Sequence, residues 1–398
     1  MRITWLAPYP VQYLAPALKL GRHVPVSHPC SWIVNLSQAL SQRPDVELHL
    51  LTESPLVTRS QTITAGNIVY HVQKCGVPFL HRGFPGFMQL DVLTRFASNI
   101  RRFTAELRRI HPDIVHAHGT EAAYALAAQR SGFPYLISIQ GIITEYFKTD
   151  PCLRYQIVRH YEQDSVRRSQ YFTCRTNFDT GFVRSMNPDV RIFTIHEAMS
   201  PVYFQNEWQV VDTDTLLYVG ALESRKGLDV LLEALKLVLQ THPKARLKVV
   251  GGGDQGVYRE CCERLQIAGH VEFLGFQSKE QIAKHHLDCQ VFVLPSGNEN
   301  SPNTLAEAMV SGMPVIATAV GGIPSMVKDG ETGLLFPPRD PAQLEKVILQ
   351  LFEHPEERAR LGRNAQQIAR ERHLSERVAA QTMDAYHEIL RLEATGPG

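Results

Sequence analysis

One stretch, residues 291–318, constrains the fold of this chain more than any other. It opens with the apolar run Val291–Leu294, whose length and β-branched residues predict a buried strand. A polar loop follows, and then a run of good helix formers that begins at Asn303 and has Gly312 after it as a stop signal. A second apolar run begins at Val315. This order predicts a strand–loop–helix–strand unit of a parallel sheet, in which ligands bind at the carboxyl ends of strands.

Two carboxylates flank the start of the predicted helix, Glu299 in the loop and Glu307 about one turn into the helix. Backbone N–H groups at the helix start, over Asn303, Thr304 and Leu305, can receive a phosphate oxygen. An anion site beside two acceptors for hydroxyl groups fits a sugar nucleotide, which carries a diphosphate and two hydroxyl-rich rings. The simpler alternative is that Glu307 only favours the helix start, through the helix dipole or a capping box.

The length and composition predict two folded domains and exclude some functions. A chain of 398 residues is too long for one ordinary core. Its 41 Lys and Arg residues balance 40 Asp and Glu residues, so no global charge indicates a nucleic-acid partner. The seven cysteines are odd in number and form no C-x-x-C pair, which is typical of reduced thiols in a cytoplasmic protein. No apolar run is long enough for a signal peptide or a membrane helix.

Strand and helix patterns alternate along both halves of the chain, which predicts parallel α/β domains. The first buried strand covers Ile3–Ala7, and a proline-bearing functional loop follows it up to residue 30. Residues 197–213 change to a polar character and predict the linker between the domains. In the second half, the stretch from Gly330 to Pro338 predicts a hairpin.

Two features of the first half carry candidate functions. His118 ends a predicted strand, and His116 shares its face, so the two alternatives are a metal pair and a histidine that contacts a polar ligand. No third metal ligand is evident, and the polar contact is favoured. Residues 91–110 predict one basic helix, which is either a solvated surface or a contact with anionic lipid head groups. Its arginines are Arg95, Arg101, Arg102, Arg108 and Arg109.

Two features of the second half point to a diphosphate. Arg225 and Lys226 stand in the loop after its first strand, where two cations can neutralise a diphosphate, although an exposed basic turn is the alternative. Gly251 and Gly252 belong to three glycines that follow the next strand and let another backbone approach closely. The pattern differs from G-x-G-x-x-G, so a nicotinamide cofactor is not indicated.

The second half resembles the retaining nucleotide-sugar glycosyltransferases of family 4, which have the GT-B fold. The resemblance spans about 130 residues, and its motifs follow the family's order. They are Tyr218-Val-Gly220, Arg225-Lys226-Gly227, Val249 to Gly253, Phe273 to Phe276, Glu299 to Glu307, Ser311 to Ala317, Gly321-Gly322 and Asp329 to Phe336. The first half matches more loosely, through its first strand and His116-Ala-His118-Gly119.

The resemblance implies two Rossmann-like domains with parallel sheets that face each other across a cleft. Residues 1–198 would be the acceptor domain, residues 199–374 the donor domain, and residues 375–398 a helix that packs back on the first. It also implies a metal-independent transferase without a cofactor, which takes a UDP- or GDP-sugar and a saccharide or lipid-linked acceptor. The location would be cytoplasmic, with a peripheral contact at the inner face of the membrane through residues 91–110.

The resemblance also assigns roles to residues. Glu307 resembles the carboxylate that binds ribose, and Glu299 the one that meets the hydroxyls of the donor sugar. Lys226, helped by Arg225, resembles the cation that holds the diphosphate, and His118 the histidine that reaches the transferred sugar. Glu299, His118 and Lys226 are therefore the predicted catalytic residues. The other predicted donor-binding residues are Gly220, Gly251, Gly252, Phe276, Asn303, Thr304 and Leu305.

This chain departs from the family pattern at three places. His28 to Trp32 stands where the family often has two glycines, and Ala221 where an arginine often follows the Val-Gly pair. Ser301-Pro302 replaces Phe-Gly, and Pro302 has no N–H to donate to the sugar. The alternatives to a transferase are a non-catalytic sugar-nucleotide binder, a nucleotide-sugar epimerase or a sugar phosphorylase on the same fold, and a structural α/β protein.

Overall fold

The computed structural model describes residues 1–20, 30–75, 90–211 and 213–395, and the chain divides into two compact units. The amino unit comprises Met1–Ala198 and the segment that begins at Ser375, and the carboxyl unit comprises Met199–Leu374. Residues 21–29, which carry part of the predicted proline-bearing loop and part of the first family departure, lie outside the described residues. None of the helices within the described ranges is long and apolar enough to cross a membrane.

The described residues of the amino unit form an eight-stranded sheet of order β3-β4-β2-β1-β5-β6-β7-β8, in which only β3 is antiparallel to its neighbour. The strands are β1 Arg2–Leu6, β2 Glu47–Ser54, β3 Gln61–Ala65, β4 Ile68–Lys74, β5 Ile114–His118, β6 Tyr135–Ser138, β7 Tyr171–Cys174 and β8 Arg191–Thr194. The strand order reverses between β1 and β5, which pair in parallel. Such a switch point opens a crevice at the carboxyl ends of the two strands.

The described residues of the carboxyl unit form a six-stranded parallel sheet of order β11-β10-β9-β12-β13-β14. The strands are β9 Thr215–Val219, β10 Arg246–Val250, β11 Val271–Gly275, β12 Val291–Leu294, β13 Val315–Thr318 and β14 Leu334–Phe336. Here the order reverses between β9 and β12, which pair in parallel at Val291 and Phe292. The loops after β9 and β12 therefore leave the same edge of the sheet side by side.

Helices cover both faces of each sheet, as the alternating pattern predicted. In the amino unit they are α1 Ala15–Leu18, α2 Ser31–Ser41, α3 Leu90–Leu93, α4 Ala97–Ile110, α5 Ala123–Gln129, α6 Ile143–Thr149, α7 Leu153–Arg168 and α8 Asn177–Met186. In the carboxyl unit they are α9 Pro201–Phe204, α10 Leu228–Val238, α11 Gly256–Leu265, α12 Lys279–Asp288, α13 Asn303–Val310, α14 Pro341–Glu353 and α15 Pro355–His373. The last helix, α16 Ser375–Thr395, packs against α2 in the amino unit, where Tyr386 and Ile389 are fully buried.

The predicted basic helix over residues 91–110 is wrong as a single element. The chain forms the short helix α3 and then α4, because Arg95 and Phe96 adopt left-handed backbone angles, with φ of 50° and 55°. Such angles interrupt the ladder of helical hydrogen bonds. Phe96 is buried and packs edge-on against Tyr161, with ring centroids 6.2 Å apart, and this burial offsets the backbone strain.

The predicted hairpin at Gly330–Pro338 is also wrong. Residues Leu334–Phe336 form β14, which pairs with β13 in parallel and extends the sheet at its edge. The turn before it is closed by the Asp329 carboxylate, which accepts a hydrogen bond from the backbone N–H of Leu335 at 2.8 Å. Leu334 and Phe336 are buried in the core, so the apolar run belongs to the main sheet instead of a separate ribbon.

Candidate active site

The switch point of the carboxyl unit brings together two residues of opposite charge. Lys226 ends a single turn of 3₁₀ helix in the loop after β9, and Glu299 lies in the loop after β12. The Lys226 ammonium group lies 2.5 Å from Oε1 of Glu299, and the hydroxyl of Ser296 donates to the same oxygen at 2.9 Å. The two charged side chains are only 17% and 8% exposed. They form a largely desolvated ion pair where the fold places ligands.

The backbone around Glu299 is held by the glycine turn that follows β13. Gly321 has a φ of 54°, and a Cβ atom at this position would lie 1.9 Å from the carbonyl oxygen of Glu299. The N–H of Gly322 donates to that same carbonyl oxygen at 3.0 Å. A side chain at Gly321 would therefore displace the loop that carries Glu299. The turn therefore holds in place the loop that carries the Glu299 carboxylate.

Arg225 precedes Lys226 in the same turn but makes a different ion pair. Its Nε donates to Glu223 at 2.9 Å, and the two side chains are 34% and 54% exposed. Ion pairs this exposed contribute little to stability, and their side chains reorient readily. Lys226 is therefore fixed by its surroundings to a much greater extent than Arg225.

Helix α13 begins with unsatisfied backbone donors. Its N-cap is Pro302, which caps no amide with a side chain. The first two helical N–H groups, those of Asn303 and Thr304, have no acceptor among the described residues. The N–H of Leu305 donates to the Pro302 carbonyl at 3.2 Å, and its side chain is fully buried in the core. Asn303 and Thr304 thus retain free donors, and Leu305 contributes chiefly to packing.

Glu307 is the fifth residue of α13 and is 7% exposed. Burial raises the pKa of its carboxyl group to about 8, and a side-chain hydrogen bond with the buried Tyr203 opposes that rise. Capping-box residues lie at the third helical position and are exposed enough to reach the N-cap. Glu307 lies two residues further and is buried, so it does not form a capping box at this helix start.

The glycines after β9 and β10 pack backbone against backbone. A Cβ atom on Gly251, whose φ is 150°, would lie 1.8 Å from the carbonyl oxygen of Gly220. The predicted close approach is therefore confirmed, and Gly251 makes it with the loop after β9. A Cβ at Gly252 would meet nothing within 4 Å, and Phe276, just after β11, is 59% exposed. These residues line the same carboxyl edge of the sheet as Lys226.

In the amino unit, His118 is the last residue of β5 and is 3% exposed. Its ring lies 4.0 Å from the ring of His116 and 4.5 Å from that of Trp5, measured between centroids. Burial holds the pKa of His118 well below its usual range, and the neighbouring His116 and the positive charge of Arg175 lower it further. Its Nε2 atom is buried and has no hydrogen-bond partner among the described residues. Within residues 1–20, 30–75, 90–211 and 213–395, no group of three or more His, Cys, Asp and Glu side chains could hold a metal ion.

A chain of buried hydrogen bonds orients the ring of His116, against which the ring of His118 packs. The Trp5 indole N–H can only donate, so the Tyr386 hydroxyl accepts from it at 2.9 Å and donates to Nδ1 of His116 at 2.6 Å. His116 then carries its proton on Nε2 and donates to Ser138 at 2.6 Å, and Ser138 lies 2.6 Å from Thr173. Burial lowers the pKa of His116 to about 3, so its ring is neutral and can accept a hydrogen bond at Nδ1 while it donates one from Nε2. Helix α16 therefore fixes the tautomer of the ring on which His118 lies.

Replacement of Tyr386 by Phe is expected to destabilise the protein by about 1–3 kcal/mol, because it leaves the Trp5 indole and the His116 ring without partners in a buried site. Chemical denaturation monitored by circular dichroism measures the loss. Tyr13→Phe is the matched control, since Tyr13 is 51% exposed and its hydroxyl is not needed in the core. An unfolding midpoint that is unchanged in Tyr386→Phe would contradict the stabilising role of this hydrogen-bond chain.

Four polar residues of these sites were not predicted from the sequence: Ser296, Tyr203, Tyr386 and Arg175. Arg175 directly follows β7, and a charged residue at the carboxyl end of a strand is a signal that could have identified it. Tyr203 and Tyr386 carry no local signal, because each reaches its partner through tertiary packing across more than a hundred residues.

Two family models match consecutive parts of the chain. The model described as Glycosyltransferase Family 4 matches residues 31–200, and the model described as Glycosyl transferases group 1 matches residues 203–368. An uncharacterised glycosyltransferase of Methanocaldococcus jannaschii is 25% identical over 340 residues, which are 85% of this chain and 89% of the relative. The D-inositol 3-phosphate glycosyltransferase of Streptomyces avermitilis is 27% identical over 366 residues, which are 84% of this chain and 77% of the relative.

Solved structures share the fold over nearly the whole chain. The sucrose-phosphate synthase of Thermosynechococcus elongatus has a TM-score of 0.80 at 19% identity, with 98% of this chain and 99% of that chain covered. Anabaena HepE, solved in complex with UDP-glucose, has a TM-score of 0.72 at 17% identity, with 98% and 100% covered. At these identities the likeness shows the fold, which is GT-B.

Proposed function

Since this chain belongs to glycosyltransferase family 4, a group 1 family with the GT-B fold, we propose that it moves a hexose from a nucleotide-diphosphate sugar to an acceptor hydroxyl with retention of anomeric configuration. The observation that supports this proposal best is the Lys226–Glu299 ion pair beside the free N–H groups of Asn303 and Thr304. Together these groups offer positive charge to a diphosphate and a carboxylate to a hydroxyl-bearing ring.

The proposed chemistry places negative charge on the leaving group. The bond between the anomeric carbon and a diphosphate oxygen breaks, a bond from the acceptor oxygen to that carbon forms, and the acceptor proton passes to the departing phosphate oxygen. Lys226, the helix start and the more exposed Arg225 would stabilise the diphosphate as its charge grows. An ammonium group has three donors, so Lys226 can hold Glu299 and a phosphate oxygen at once. With this charge supplied by the protein, the proposed reaction proceeds without a metal ion.

The remaining roles follow the family resemblance. Glu299 accepts hydrogen bonds from hydroxyls of the transferred sugar, and Glu307 from those of the ribose. His118 contacts a hydroxyl of the transferred sugar through its unpaired Nε2. Gly220, Gly251 and Gly252 let the donor approach the backbone, and the exposed Phe276 covers the base.

The proposed donor is a UDP- or GDP-sugar, and the proposed acceptor is a saccharide or lipid-linked molecule in glycan or polysaccharide assembly. A peripheral membrane contact, in a cytoplasmic protein, would use α4. Arg95 pairs with Asp164 and Arg102 with Glu53, whereas Arg101, Arg108 and Arg109 are exposed. Co-sedimentation with phosphatidylglycerol vesicles tests this contact. Replacement of these three arginines by Ser should weaken vesicle binding, and unchanged binding would exclude the contact.

Calorimetric titration of UDP- and GDP-sugars in the presence of a chelator tests the proposed function, followed by product analysis with and without acceptor. We expect binding of one sugar nucleotide and transfer with retained configuration. An epimerised donor without acceptor would indicate an epimerase, and a sugar phosphate formed from inorganic phosphate would indicate a phosphorylase. Binding without turnover would indicate a non-catalytic sugar-nucleotide binder. No binding at all would refute the proposal.

The raised pKa of Glu307 predicts that the affinity for nucleotides depends on pH. An ionised carboxylate accepts hydrogen bonds from both ribose hydroxyls, but in the free protein this group has a pKa of about 8 and is mostly protonated at neutral pH. Binding must therefore expel a proton, so affinity for UDP or GDP rises with pH by up to about tenfold per unit until the pH reaches the pKa. Calorimetry in buffers of different ionisation enthalpy measures the released proton.

Two controls isolate this effect. Glu307→Gln has no proton to lose, so its weaker affinity should be independent of pH over the same range. A dideoxy nucleotide without ribose hydroxyls should show the same flat response with the unaltered protein. The raised pKa also means that the folded state holds a proton that the unfolded state releases, so this group's contribution to stability falls as pH rises from about 4.5 to about 8. Proton release of equal size in Glu307→Gln would contradict the assignment.

A further inference from the structure

The amino unit contains a cavity at the carboxyl ends of β5, β6, β7 and β8. Its polar lining includes His116, His118, Ser138, Arg175 and Glu197. His118 brings the buried Nε2 atom that has no partner among the described residues. A polar atom buried without a partner is costly, and such atoms mark positions where a ligand completes the hydrogen bonding.

Arg175 ties together the strand ends that form this cavity. It directly follows β7, and its backbone N–H donates to Asp179 at 2.9 Å. One terminal nitrogen of the guanidinium donates to the carbonyl oxygens of Ile139 at 2.7 Å and Gln140 at 2.8 Å, just after β6. The other donates to Glu197, in the segment after β8. The planar guanidinium presents two terminal nitrogens at a fixed angle, one to the two carbonyl oxygens and one to Glu197. The single ammonium nitrogen of a lysine lacks this fixed geometry.

The guanidinium is buried because its charge is balanced. Arg175 and Glu197 have side chains that are 8% and 1% exposed. Burial alone would lower the pKa of Arg175, but Glu197 and Asp179 keep it above its usual value. The cavity therefore holds a permanent cation beside His118, with His116 and His196 as the neighbouring imidazoles. The anions near this cation are Glu197, Asp179 and Glu121.

We propose that Arg175 is a positioning residue for His118, which fixes the walls of the cavity and places a balanced positive charge beside that imidazole. This inference rests on the proposed transferase function, because it assigns His118 a contact with the transferred sugar. Arg175 itself acts through the strand ends and the charge. Misplacement of a contact group by about 1 Å reduces catalysis by as much as roughly a hundredfold.

A double-variant design separates this role from a structural one. Arg175→Met and Glu197→Gln each leave one buried charge without its partner, so each single variant is expected to unfold at a lower temperature. The double variant removes both charges and should regain most of the unfolding temperature. Its kcat should remain at least about tenfold below the parent's, while its Kd for the nucleotide diphosphate, which binds to the carboxyl unit, stays unchanged.

NMR of labelled histidine measures the titration of His118 and tests the proposal without an assay of turnover. Loss of the neighbouring cation should move the pKa of His118 upward in the double variant. This measurement stays informative if the protein proves not to be a transferase, since the titration does not require a substrate. In that case unaltered protein would show no turnover, which refutes the proposed function and leaves the role of the charge to be read from the titration.

Arg175→Lys keeps the charge and the ion pair but loses the fork to the two carbonyl oxygens. We expect several-fold lower kcat in this variant with an unchanged His118 titration, and it serves equally if the double variant fails to fold. The proposal is overturned if the double variant has the parent's kcat and His118 titration, or if Arg175→Lys has the parent's kcat.

Discussion

Lys226→Ala is expected to lower kcat/KM for the sugar nucleotide by roughly 10²–10³-fold, which is the usual cost of removing one preorganised group that stabilises developing charge. The Lys226 side chain is 17% exposed, against 34% for the neighbouring Arg225. Its ammonium group lies 2.5 Å from Glu299, at the strand ends where the diphosphate is proposed to bind. The same substitution should weaken nucleotide diphosphate binding, because the ground-state anion also loses its counter-charge. Calorimetry and initial-rate assays measure the two effects.

Lys328→Ala is the matched control for this substitution. Lys328 also pairs with a glutamate, Glu331, at 2.9 Å, but the two side chains are 70% and 52% exposed. An exposed pair contributes little, so this variant should bind nucleotide and turn over as the unaltered protein does. Arg225→Ala should fall between the two, since Arg225 is partly exposed and pairs with Glu223. Parent-like turnover in Lys226→Ala would remove the electrostatic basis of the proposed reaction.

The region from β12 to β13 was predictable from sequence because its signals are local. The strand Val291–Leu294 and the helix Asn303–Val310 occur where the apolar runs and helix formers predicted them. The parallel order of the sheet then brings the loop after β9 beside the loop after β12, although Lys226 and Glu299 are 73 residues apart. The two residues were predicted one by one, and the ion pair between them required the strand order.

Features that depend on tertiary packing were not predictable in this way. The bend at Phe96 replaces a continuous helix because burial of one ring outweighs the helical periodicity of the neighbouring residues. Tyr386 reaches His116 across 270 residues, and no periodic pattern marks that contact. Pro302 illustrates a third case: it stands at the N-cap without capping any amide, so the N–H groups of Asn303 and Thr304 have no acceptor among the described residues. Functional positions often depart from local structural preferences in this manner.

The ion pair predicts opposite effects on binding and catalysis when Glu299 is replaced by Gln. The amide keeps the size of the side chain and can still accept from Ser296, but it no longer neutralises Lys226. The freed ammonium group should attract the diphosphate more strongly, so affinity for UDP or GDP should rise by several-fold, roughly 3–10-fold. Transfer should nevertheless fall by at least about a hundredfold, because the charged acceptor for the sugar hydroxyls is lost where it stabilises positive charge on the ring.

This split between affinity and turnover separates a role in the reaction from a role in the fold. If Glu299 only held the loop in place, the substitution would weaken binding and turnover together, and the unfolding temperature would fall with them. Glu331→Gln is the matched control, since it removes the same charge from the exposed pair with Lys328 and should change none of the three quantities. Weaker diphosphate binding together with impaired transfer and a lower unfolding temperature would assign Glu299 to the fold and would contradict its proposed role in the reaction.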